Sequence, residues 1–114
     1  MIARRWHGRI PAAKKDEYLR LMVEVALPDY QSTQGNAGAW CLHRAEGDVV
    51  HVEMLTFWAD KAAIRRFAGD DMAKAKYYDF DADFLLEFEA EVTHFQVLGC
   101  GPLGSGASQG LGAT

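Results

Sequence analysis

The chain has 114 residues, enough for one domain that buries roughly two-thirds of its unfolded surface. Hydrophobic residues make up 49% and charged residues 25%, an ordinary globular balance, and a formal charge of -4 argues against nucleic acid or an anionic membrane as a partner. The basic spots Arg4-Arg5, Lys14-Lys15 and Arg65-Arg66 are too short and scattered to track a phosphate backbone, and no apolar run approaches the ~20 residues of a membrane helix. The first residues lack a signal-peptide core, and Cys41 and Cys100 lack metal-type spacing, so reduced thiols in a cytoplasm are expected.

Met1 to Ile10 reads as a strand with Ile2, Trp6 and Ile10 on one parity, Arg4 intruding among them and Pro11 as the stop. From Ala12 to Leu27 the period becomes helical. Tyr18, Leu21, Met22 and Val25 form the apolar stripe, and Asp16, Arg20 and Glu24 lie opposite at i,i+4 spacing. Leu27-Pro28 ends that helix, because the residue before proline is pushed out of the α region. Asp29 to Asn36 is a polar loop finishing in Gly35-Asn36.

Gly38 to Arg44 and Val49 to Trp58 form a hairpin around Glu46-Gly47-Asp48, with Arg44 placed opposite Val49. Asp60 caps a helix to Ala68 that turns Ala63, Ile64 and Phe67 inward and stops at Gly69. Asp70 or Asp71 caps a further turn, Met72 to Tyr78. Phe80, Phe84, Leu85 and Phe88 are apolar anchors in a less regular segment, and Glu91 to Leu98 is the last strand. Residues 1–98 form the single domain. The Gly/Ser/Ala composition of residues 99–114 marks a flexible tail.

The order β-α-β-β-α-β predicts an α+β, ferredoxin-like fold: one four-stranded antiparallel sheet with both helices on a single face. The other face carries apolar residues and needs a cover. A second subunit supplies it, giving a homodimer with two sheets face to face; a monomer with an exposed apolar patch is the rival.

Strand parity sorts the polar groups. Val50, Val52 and Met54 suit the helix side, leaving His51, Glu53, Leu55 and Phe57 on the open face, joined by Trp40, Leu42 and Arg44. On the last strand Phe95 and Val97 suit the helix side, so His94 and Gln96 join the open face. That face would then gather Trp40, Arg44, His51, Glu53, His94 and Gln96. His7 and His43 are placed at strand ends in solvent.

Trp6-His7-Gly8, Gln34-Gly35-Asn36, Trp58 ending a strand, Phe67-Ala68-Gly69, Tyr77-Tyr78 and Val92-x-His94-Phe95-x-Val97 together resemble the antibiotic biosynthesis monooxygenase superfamily. The resemblance covers about residues 1–98. It implies a dimeric α+β barrel with a cavity between sheet and helices or inside the barrel, where some relatives oxygenate phenols or quinols without metal or flavin and others degrade haem. At the positions matching the tryptophan and histidine of the haem branch stand Phe67 and Tyr77, which weakens the haem reading.

Cofactor-free oxygenation of a phenolic, quinol or polycyclic aromatic substrate needs a base, and His94 or His51 fits the pH range. Asn36 or Tyr77 would donate to the oxygenated intermediate, and Trp40, Trp58 or Tyr78 would sandwich the ring. Each has a plainer reading. His94 serves equally as an interface histidine, and His51 as a partner of Glu53 or Arg44. Trp58 suits a core plug, one of Tyr77-Tyr78 must pack, and Asn36 suits a turn. No HExxH, CxxC, GxSxG or phosphate loop occurs. The readings are therefore an oxygenase that uses no bound metal or flavin, a non-catalytic homodimer that binds a small aromatic molecule or acts as an accessory, and, third, a haem-binding protein.

Overall fold

The structure, a computed structural model, describes residues 1–99. Four strands form one antiparallel sheet: β1 (Ile2–Pro11), β2 (Asn36–Glu46), β3 (Val49–Trp58) and β4 (Thr93–Gln96), ordered β2-β3-β1-β4. This is an α+β arrangement consistent with a ferredoxin-like fold. The tail assigned to residues 99–114 lies, beyond Gly99, outside the described residues. No helix among those described is long and apolar enough to cross a membrane.

Alternation along the two central strands defines the layers. Ile2, Trp6 and Ile10 of β1 and Val50, Val52, Met54 and Trp58 of β3 point to one side, where they are buried under the helices. Gly8 shares that side, and a Cβ there would come within 2.7 Å of both Leu85 and the Trp6 ring.

Helices α1 (Lys15–Leu21) and α2 (Leu27–Ser32) are joined through a π-helical segment, Met22–Ala26, so the rod runs through Pro28 instead of ending before it. In that segment Leu27 N–H reaches back five residues to Met22 O. The wider turn makes room for a proline ring and skips a bond that Pro28 has no N–H to make. It also re-phases the stripe. Tyr18, Met22, Ala26 and Tyr30 are buried at four-residue intervals, and Val25, expected inside, is exposed.

Helix α3 (Lys61–Ala68) forms as its sequence predicts. Asp60 accepts from Ala63 N–H at 2.9 Å, and Ala63, Ile64 and Phe67 are buried. The turn expected over Met72–Tyr78 is confined to Met72–Ala73, where the Asp71 side chain accepts from Ala73 N–H (3.2 Å) and its carbonyl from Lys74 N–H (3.1 Å); from Lys74 on the chain is not helical. Ala75 N–H donates to Ala90 O (3.0 Å) and Val92 N–H to Ala73 O (2.8 Å), so residues 73–75 pair with 90–92 beside the edge strand.

Two registers differ from expectation. Arg44 lies opposite His51 and Glu46 opposite Val49, two residues from the predicted pairing, because the turn contains just Gly47 (φ 63) and Asp48. A shift of two preserves parity, so the faces of β2 and β3 stand. The last strand differs in parity itself. Arg4 pairs with His94 and Ile2 with Gln96, which places His94 and Gln96 on the helix side and Phe95 on the open face.

Candidate functional site

The open face divides into an apolar and a polar half. The apolar half is a shelf of Trp40, Leu42, Leu55 and Phe57 around a hollow of about 270 Å³. The Trp40 ring lies over Gly38, which has no side chain to obstruct it, and meets Phe57 edge-on with centroids 5.6 Å apart. Trp40 is 40% exposed, Leu42 46% and, on β4, Phe95 48%. A second hollow of about 160 Å³, lined by Leu42, His43, Arg44, His51 and Glu53, shares Leu42 with the first. An aromatic ring on the shelf would therefore have its polar substituents beside His51.

The polar half is built by odd-numbered residues of β1 and β3 and by a segment that crosses the end of β1. Leu86 N–H donates to Arg9 O (2.9 Å) and the Tyr77 hydroxyl to Glu89 O (2.5 Å), which holds Glu87 and Glu89 against the sheet. Glu87 pairs with Arg9, whose hydrogen bonds hold its carboxyl below the usual range. Arg5 pairs with Glu53 at 3.1 Å and Arg44 with Glu46 at 3.8 Å.

Between these pairs runs a row of four side chains. Glu89 Oε2 lies 2.5 Å from His7 Nδ1, His7 Nε2 lies 2.9 Å from His51 Nδ1, and His51 Nε2 lies 2.8 Å from Glu46 Oε1. The two imidazole planes are inclined by 26° with centroids 5.2 Å apart, an edge-to-edge arrangement that suits an in-plane N–H···N bond. The hydrogen bond from His51, helped by its charge and that of Arg44, holds Glu46 below the usual carboxylate range. The four groups stand in line, and among the described residues no three His, Cys, Asp or Glu side chains converge as metal ligands would.

The layer between sheet and helices offers far less space. Trp6, Tyr18, Met22, Tyr30, Met54, Tyr78 and Asp81 enclose a cavity of about 10 Å³, on the order of one water. Its polar groups are bonded to one another: Tyr18 hydroxyl to Asp81 (2.7 Å), Tyr78 hydroxyl to Asp29 (2.7 Å), and Lys76 to Asp29 (2.8 Å). Burial pushes Asp29 up, but the bonds from Lys76 and Tyr78 outweigh it and bring it below the usual value. Burial raises Asp81, against the bonds from Tyr78 N–H and Tyr18.

The expected site residues therefore separate. Trp40, Arg44, His51 and Glu53 come together on the open face as parity predicts. His94 does not join them. It lies on the helix side beside Arg4, with Nε2 buried and unpartnered, and burial together with the Arg4 charge lowers its pKa. Gln96 shares that side.

Asn36 is consumed by the β2 bulge, its amide donating to Phe57 O (3.3 Å) and accepting from Gly38 N–H (3.1 Å). Trp58 is core: fully buried, it donates to Thr56 Oγ1 at 2.9 Å and packs on Phe67. Tyr78 stacks on Phe80 in the helix–sheet layer, whereas Tyr77 packs on Phe88 and touches the site through Glu89 alone. Sequence reasoning missed His7, Glu46 and Glu89. The parity of His7 with Arg5 and Arg9 is a signal for the first, but nothing in the pattern reveals that Glu89 returns to β1.

No family model matches the chain, and no curated protein shows a significant match to it.

Proposed function

We propose that this protein is a homodimeric oxygenase of small phenolic or quinol-type aromatics, akin to the antibiotic biosynthesis monooxygenases it resembles, and that its open sheet face is the site. The observation that carries this reading is the adjacency of an apolar shelf (Trp40, Leu42, Leu55, Phe57) to a half-buried histidine, His51. The substrate ring lies on the shelf, and its hydroxyl meets His51 as general base. The resulting anion is electron-rich enough to reduce oxygen directly. Carbon–oxygen bond formation gives a hydroperoxide, and loss of water leaves a carbonyl. For an anthrone, a CH₂ group and O₂ become C=O and H₂O, with the four electrons drawn from carbon. The chain's own contribution is binding, proton transfer and exclusion of water.

A second copy of the chain is the proposed cover. Arg5/Glu53, Arg9/Glu87 and Arg44/Glu46 are paired within the face, so it presents no single-sign patch to repel a copy of itself, and that copy closes over the substrate on the shelf. The haem reading loses support, since Phe67 is buried and stacks on Tyr30 at 4.2 Å, and the Tyr77 hydroxyl is bonded to Glu89 O.

Oxygen uptake on adding an anthrone or quinol tests the proposal. The expected result is turnover that falls at least 100-fold in His51→Ala and is unchanged in His94→Ala. Tight binding of such aromatics without oxygen uptake would replace the oxygenase with a binding protein. Equal turnover in His51→Ala would overturn the role of this face.

A further inference from the structure

The row Glu89–His7–His51–Glu46 is constrained by its own proton count. Its three contacts, at 2.5, 2.9 and 2.8 Å, use all four imidazole nitrogens, two of them facing each other. Each contact requires one proton between its two heavy atoms. Three protons must therefore be shared among four ring nitrogens while both carboxylates accept, so the two rings together carry one positive charge. With a fourth proton, N–H would face N–H between the rings. With two, one contact becomes lone pair against lone pair or against a carboxylate. The complete row exists in a single protonation state.

The exposures of the four groups give the row a direction. The His7 and His51 side chains are 21% and 16% exposed, against 40% for Glu89 and 64% for Glu46. Glu46 sits at the hairpin end of β2, where its other contact is the 3.8 Å pairing with Arg44. Glu89 is held by its backbone, through the hydrogen bond from the Tyr77 hydroxyl. One terminus is thus anchored and the other is free to swing away. The charges facing the row are Arg9 and Glu87 beside Glu89, Arg5 and Glu53 from the two central strands, and Arg44 beside Glu46.

We propose that Glu89, His7 and His51 form a proton relay whose substrate-facing end is His51 Nε2, with Glu46 as the displaceable stand-in for a substrate hydroxyl. This rests on the proposed function and specifies how its base works. When the rings hold two protons, on His51 Nδ1 and His7 Nδ1, both point toward Glu89. His51 Nε2 then presents a lone pair that repels Glu46 and accepts the substrate O–H. As the substrate O–H bond breaks, an N–H bond forms at Nε2, restoring the three-proton row. The proton between the rings moves from His51 Nδ1 to His7 Nε2, which sets the positive charge beside Glu89 and away from the oxygen-reactive carbon. The same movement in reverse returns a proton to the departing water, so a turnover consumes none. His7 and Glu89 are positioning residues that act through His51.

Long-range proton–nitrogen NMR spectra of the imidazoles, recorded without substrate, test the row separately from turnover. The expected spectrum shows protonated His7 Nδ1 and His51 Nε2, two intermediate nitrogens between the rings, and a joint response of both rings when Glu89→Gln is introduced. Kinetically, Glu89→Gln should lower kcat about tenfold with KM unchanged and displace the pH profile of kcat. Two rings that titrate independently, or a His51 spectrum unchanged by Glu89→Gln, overturn the relay whatever the activity. Linked rings with no oxygen uptake support the row and contradict the oxygenase reading instead.

Discussion

Raising the pH probes whether the layer between sheet and helices is as sealed as the site assignment requires. Tyr18 and Tyr30 are buried, and Tyr78 is half-buried against Asp29. Burial pushes Tyr30 up to about 12 and raises Tyr18 and Tyr78 further, with the carboxylates of Asp81 and Asp29 adding to it. Tyr77, the remaining tyrosine of the four, is raised as well. In the unfolded chain these phenols ionise near pH 10.

The stabilisation from keeping them protonated is thus complete below about pH 10 and is lost as pH rises toward the folded values. Each withheld ionisation costs about 1.4 kcal/mol per pH unit, so Tyr18, Tyr30 and Tyr78 together give a slope of about 4 kcal/mol per unit. Against a total stability on the order of 5–15 kcal/mol, unfolding follows about one to four units above pH 10. Tyrosinate absorbance and circular dichroism, followed through one alkaline titration, should change together. Ionisation of these three near pH 10 with the dichroism intact would show a wet, open layer and would return the candidate site to it.

Four further outcomes follow from particular side chains. Arg4 is 1% exposed with Nε unpartnered, and its side-chain hydrogen bond goes to Lys74 O at 3.1 Å, so Arg4→Met should leave stability equal or raise it by about 1–3 kcal/mol in urea unfolding. The same variant should move the His94 titration up toward its ordinary value. In the native chain that lowered pKa contributes stability above about pH 6.5 that is lost as pH falls through the folded value, so native stability should decline over that range while Arg4→Met declines less. Gly35→Ala meets the Ala63 Cβ at 2.4 Å with φ +94 and should cost about 2–5 kcal/mol by the same unfolding assay. Phe95→Glu, on the open face away from the shelf, should convert a dimer to a monomer by sizing chromatography; an unchanged elution volume would contradict the proposed cover.

Much of the architecture is legible from local pattern. Alternation in β3, the Asp60 cap and the Gly47 turn each state their structure within a few residues, and a hairpin register off by two still keeps its faces. Legibility fails where tertiary context decides between equal local options. Phe95 and Val97 look like the core parity of β4, but His94 takes the covered side because the strand pairs with β1 at Arg4. Pro28 reads as a helix end until a π turn absorbs it. For the site, the β2–β3 contribution follows from parity, so Trp40, Arg44, His51 and Glu53 are recoverable. His7 becomes meaningful only beside His51, forty-four residues away, and Glu89 only because an irregular segment returns to the end of β1.

The central claim, that an aromatic molecule binds the open face beside His51, is tested most directly by titrating a quinol or anthrone into the protein while following side-chain resonances. The account predicts perturbation of the Trp40 indole, the Leu42 and Leu55 methyls and the His51 ring, with Met22, Met54 and Tyr78 unchanged. Perturbation confined to Met22, Met54 and Tyr78 would place the site between sheet and helices and contradict it.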